Sequence, residues 1–168
     1  MTRTRHITIS AMTIGLVLVS FTVFRHTTNL INAIIVPLTL AVLLFHIPIK
    51  QKVIIYVITY MLVVLFFPTQ LVFMLLYVIV ASRLKYIMIN QSVLIWLGHV
   101  LVFALMLMIA TYLTDFIFML KINHFIFLML GQRVLFFIGF YLIESVGILL
   151  VHTLMMKQIN KRMRLKNG

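Results

Sequence analysis

No cysteine occurs in the chain, so disulfides, thiolate nucleophiles and cysteine-ligated metals are excluded, and nothing about the redox state of the compartment can be read. Acidic residues are nearly as scarce, with Asp115 and Glu144 as the two representatives. Two carboxylates are too few for an oxygen-ligated two-metal centre. No HExxH motif, phosphate-cradling glycine loop or nucleophile–base pair is present, and intramembrane proteases and lipid transferases carry denser polar clusters, so the sequence reads as non-catalytic. Charge of any kind is thin: 10% of residues are charged, where a soluble domain carries roughly a quarter. Internal repeats, low-complexity tracts and a soluble domain are all missing.

What fills the chain instead is apolar. Of 168 residues, 64% are hydrophobic, arranged in long blocks separated by short polar and basic clusters. In water such a chain would expose apolar surface that soluble monomers avoid, whereas in a bilayer lipid is the solvent for it. Fourteen Lys and Arg give a net charge of +12. They sit between or beyond the apolar blocks, so topology signalling and anionic lipid headgroups account for them better than nucleic acid, which would need a basic face on a folded domain. The start, Arg3-Thr-Arg5-His6 before an apolar run, resembles a signal peptide. However, Phe21-Thr-Val-Phe24 offers no small-residue cleavage site, and a retained first helix is expected.

The fold class expected is an all-α, polytopic membrane bundle forming one integral domain. Five apolar blocks are evident: 7–24, 30–49, 53–82, 92–118 and 133–156. The third is too long for one ordinary span of roughly 20 residues, and Phe67-Pro68-Thr69-Gln70 interrupts it where proline removes a donor and biases its predecessor away from helix. It is either two short spans, 53–67 and 71–82, or one kinked helix. The positive-inside rule arbitrates. With six spans and the N-terminus inside, eleven basic residues lie inside and three (Arg25, Lys121, Arg133) outside; merging the block gives six inside and eight outside. Six spans with both termini cytoplasmic is therefore expected, with 119–132 as an interfacial segment and 157–168 as a basic tail continuing the last span.

Ionisable groups at membrane depth are functional candidates by default. Glu144, mid-way along the sixth span, is a ligand contact or proton carrier in one reading and a hydrogen-bonded lock between helices in the other. Ser145 and His152 share a face from which Glu144 is rotated away. His46, His99 and His152 fall at one depth, yet no two have a ligand spacing on one helix and no carboxylate joins them, so no metal site is assigned. The outer loops look like a binding mouth: Arg25, Asn29 and Asn32 around the first turn, Asp115 at the end of span five, and Gln132 and Arg133 at the start of span six. The plainer account pairs Asp115 with Lys121 or Arg133. In span one, Thr8, Ala11, Gly15 and Thr22 form a small-residue stripe suited to close helix approach, either inside the bundle or against another subunit.

Several of these stretches together resemble the substrate-binding S-components of energy-coupling-factor transporters. These are six-span proteins with both termini inside, a basic N-terminus leading into a first helix with an Ala-xxx-Ala motif, and a proline in the second span. The corresponding stretches are Arg5–Gly15, Ile35-Val-Pro37-Leu-Thr39 and the basic loop Lys50-Gln-Lys52. The resemblance implies that Ala11 and Gly15 contact a transmembrane coupling subunit driven by an ATPase pair, and that a small solute such as a vitamin is captured from outside. Gly15 replaces the second alanine of the motif, the glycine-rich features of spans three and four are missing, and no vitamin-specific motif is present, so no substrate carries over. The rod-shape-determining D-type membrane protein of bacterial wall synthesis is similar at this level, which implies the alternative of a scaffold for envelope assembly.

Overall fold

The computed structural model describes residues 3–24, 29–43, 47–89 and 92–166, with side chains described in these segments except at 3, 29, 43, 85–89, 160 and 162–166. Every regular element among the described residues is helical: α1 (Arg3–Val23), α2 (Asn29–Leu43), α3 (Ile49–Phe66), a 3-10 turn (Pro68–Gln70), α4 (Leu71–Ile89), α5 (Val93–Phe118), α6 (Ile122–Met129) and α7 (Val134–Lys166). Among the described residues, four stretches are long and apolar enough to cross a membrane: Thr4–Val23, Ile49–Phe66, Val93–Phe118 and Val134–Ile159. Leu30–Val42 and Pro68–Leu84 are shorter apolar helices.

The outer faces of these helices are built for lipid. On α3 only Ile55, Thr59 and Val63 are buried, one ridge at a spacing of four. Ile49, Val53, Ile54, Val57, Ile58, Met61, Leu65 and Phe66 all face outward. In water that contiguous surface would be an aggregation liability; in hydrocarbon it costs nothing. The hydroxyl of buried Thr59 donates to the Ile55 carbonyl one turn back, as Thr13 does to Ile9 on α1, so neither carries an unmet hydrogen bond into the packing.

The long third block is broken where the proline demands it. Phe67 has φ −136° and ψ 66°, outside the helical region, and Pro68 opens a 3-10 turn closed by the Gln70 N–H on the Phe67 carbonyl at 2.9 Å. The two helices it separates are longer than the sequence implied. α3 begins directly after Pro48, whose carbonyl accepts from both Gln51 and Lys52, and α4 runs on to Ile89. The basic residues Lys50, Lys52, Arg83 and Lys85, expected in loops, belong to helical turns. Long basic side chains reach the headgroups from a helix end, so charge does not stop a helix there. The described part of the expected second span is helical through Leu43, with Pro37 inside it, and the last helix continues through the expected tail to Lys166.

The chain forms two compact units, Met1–Lys85 and Tyr86–Gly168. In the first, α1 is the centre and packs on both α2 and α3. Its buried residues Thr13, Val17, Ser20 and Phe21 follow a helical stripe. In the second, α5 packs chiefly on α7. The α5 stripe Val100, Phe103, Ala104, Leu107, Ala110, Thr111, Thr114 repeats at threes and fours. It meets Phe137, Tyr141, Ser145, Ile148, Leu149 and His152, all buried on α7.

Candidate functional site

In the first unit the polar chemistry gathers where α1 ends and α2 begins. Asn32 is 2% exposed, and the Ser20 hydroxyl donates to its carboxamide oxygen at 2.8 Å. One turn-end away, the Phe21 ring lies 5.8 Å from the Phe67 ring and 6.3 Å from Tyr77, with Tyr77 in turn against Phe73. The break at Phe67 thus brings α1, α4 and the turn between α3 and α4 onto one aromatic side chain. Beside it opens a cavity of about 120 Å³ lined by Phe21, Asn32, Phe66, Phe67, Pro68, Thr69 and Gln70. Engineered cavities of about 150 Å³ hold one benzene ring, and sites for larger ligands run roughly 300–1,000 Å³. This one has room for a single small ring or a few waters.

The opposite side of α1 carries the small-residue stripe. At 100° per residue, Thr8, Ala11, Gly15 and Thr22 stand diametrically across from Thr13, Val17 and Ser20, and all four are exposed. A Cβ added at Gly15 would meet no atom within 4 Å. The stripe therefore does not pack within the unit. Thr8 and Thr22 donate to the carbonyls of Thr4 and Leu18, leaving a surface of methyls and backbone.

The second unit holds a polar latch that the sequence did not announce. Both oxygens of Asp115, near the end of α5, accept from the start of α6: Oδ1 from the Ile122 N–H at 2.8 Å, and Oδ2 from the Asn123 N–H at 2.7 Å and its Nδ2 at 3.0 Å. The first N–H groups of a helix have no internal acceptor. The local cap position is Lys121, which supplies no capping bond, so a carboxylate from the preceding helix takes that role. The Tyr141 hydroxyl on α7 then donates to the Asn123 carboxamide oxygen at 2.8 Å. The far end of α6 closes in a Schellman motif. Gly131 at φ 68° donates to Leu128, and Gln132 at φ 60° donates to Phe127.

Of the residues expected at the mouth, Asp115 is engaged within its own unit. Asp115 has no ion pair with Lys121 or Arg133, because backbone and amide donors of α6 occupy it. The Arg133 guanidinium lies 5.5 Å from the Phe136 ring centroid. Gln132 serves the turn through its backbone, and its side chain is exposed. Glu144 belongs to a different level, ten residues into α7 from Val134 and so roughly 15 Å along it. It is half-buried and has no hydrogen bond or ion pair with any described residue. Arg25 and His46, and the side chain of Asn29, lie outside the described residues. Among the described residues no three His, Asp or Glu side chains gather as a metal site. His152 is fully buried, and the His99 ring nitrogen lies 2.7 Å from the Ile95 carbonyl.

Compared with models of protein families, with curated proteins and with solved structures, the chain returns no match.

Proposed function

We propose that the chain is a non-catalytic, multi-pass subunit of a cell membrane that docks on a partner membrane protein through the outward face of α1. In its specific form it is the solute-capturing subunit of an energy-coupling-factor-type transporter. The observation that carries this reading is the exposure of Thr8, Ala11, Gly15 and Thr22 directly opposite the buried face of α1. A small-residue stripe is useful in a membrane only if another helix approaches it, and Ala11 and Gly15 are the residues to which the S-component resemblance assigns the coupling subunit. The chain works as one integral membrane domain of six spans with both termini cytoplasmic. Support for that count comes from the helix break at Phe67 and from the distribution of basic residues. The solute is small, and the ATPase pair acts through the coupling subunit.

A second reading has its own support. The same α1 face serves equally a scaffold for envelope assembly that binds no solute, the function implied by the likeness to the rod-shape-determining D-type protein.

Purification of the tagged chain in mild detergent, with mass spectrometry of proteins and small molecules, tests both. An ATPase pair with a bound compound supports the transporter form, and envelope-assembly proteins with no compound support the scaffold. A Gly15→Leu chain purified in parallel should remain folded and lose its partner; partner retained at wild-type yield would refute the α1 face.

A further inference from the structure

α7 presents a second feature that its own unit leaves unanswered. Glu144 sits at the border between the face packed on α5 and the exposed face formed by Phe140, Ile143, Gly147, Leu150 and Leu154. Gly147 is one turn from Glu144 on that exposed side, and a Cβ added there would meet no atom within 4 Å. A notch in a ridge of large apolar residues, with a carboxyl on its edge, permits a second helix to come close enough to reach that carboxyl.

We infer that Glu144 and the Gly147 notch receive a partner membrane helix carrying an arginine or lysine at mid-depth. The commitment to a cation follows from charge. A carboxyl inside a membrane is costly without a donor, and Glu144 has none among the described residues. The chain cannot supply one by pairing with a second copy of itself. Along the chain the nearest Lys or Arg to Glu144 are Arg133, just before α7, and Lys157, eleven and thirteen positions away, or roughly 16–20 Å at the helical rise. Among the described residues of either unit, the other Lys and Arg side chains lie within two turns of a helix end or in the turn before α6. The occupant is thus a different protein, and it contributes the positive charge. This face is separate from α1, so either one can fail without the other.

The test uses the full chain in phosphatidylcholine vesicles and a labelled polyleucine helix of about 21 residues bearing one central arginine. Energy transfer to a label on the chain is read against the same helix with central leucine and with central asparagine. The arginine helix should bind about tenfold more tightly than the leucine helix, the equivalent of one good interhelical bond. Glu144→Gln should erase that preference. Gly147→Leu, which displaces nothing in the fold, should erase it too, and it covers the case in which the Glu144 variant does not fold. Equal binding of arginine and leucine helices, an asparagine helix binding as well as arginine, or a preference that survives Gly147→Leu would each overturn the assignment.

Discussion

The Tyr141 hydroxyl on α7 reaches the Asn123 carboxamide on α6 across 2.8 Å, and Asn123 in turn holds Asp115 on α5, so three helices meet through one buried amide. Hydrogen bonds between membrane helices contribute about 0.6 kcal/mol on average and at most about 1.7. Tyr141→Phe and Asn123→Ala should each lower stability in detergent unfolding by about 1 kcal/mol, and the double variant should cost less than their sum because the two changes remove one shared bond. Additive losses would mean that the bond contributes nothing.

Removing the carboxylate should have a more local signature. Asp115→Ala frees the Ile122 and Asn123 amides, and amide exchange at both should accelerate by roughly five- to thirtyfold, matching a cap of about 1–2 kcal/mol. α5 should keep its protection. Unchanged exchange at Ile122 would show that another group caps α6.

The two sides of α1 predict opposite outcomes. Phe21 is 1% exposed and touches both Phe67 and Tyr77, so Phe21→Ala should cost about 3 kcal/mol through the void it leaves. Gly15→Leu meets open space and should change stability by less than about 0.5 kcal/mol. A large loss at Gly15 would show that the stripe packs internally after all.

Topology separates cleanly at two exposed positions. With the N-terminus as the cytoplasmic reference, Ser92→Cys should label from inside and Lys121→Cys from outside with an impermeant reagent. The reverse pattern would mean that Phe67–Gln70 is only a kink, leaving five spans.

Much of the helical plan was legible because it rests on local rules. Pro68 bars helix at Phe67, and the apolar block 92–118 became α5 almost residue for residue. Helix ends were less legible. Lys50 and Arg83 look like loop residues by charge, yet a long side chain can leave a helix for the headgroups. The tertiary polar contacts could not be read. Asp115 invited pairing with Lys121 or Arg133 because charge is visible in sequence, whereas its real partners are backbone N–H groups whose need depends on where α6 starts. One clue was present: α6 begins at Lys-Ile-Asn-His with no Ser, Thr, Asp or Asn at its cap position, so its acceptor had to come from elsewhere. Ser20 and Asn32, twelve residues apart across a turn, meet only because α1 and α2 pack side by side.

The length of α7 has a mechanical consequence. Its 33 residues extend roughly 50 Å at 1.5 Å per residue, against a hydrocarbon core of about 30 Å. With its first turn at one edge of that core, the unbroken helix would continue some 20 Å past the other, carrying Lys157 and Lys161 with it. A tilt of about 10° within the membrane, ordinary for such helices, swings the end of that overhang by roughly 3–4 Å. A tilt of the stretch around Tyr141 is thus carried, with no break in the helix, into a lateral movement of the basic end of α7.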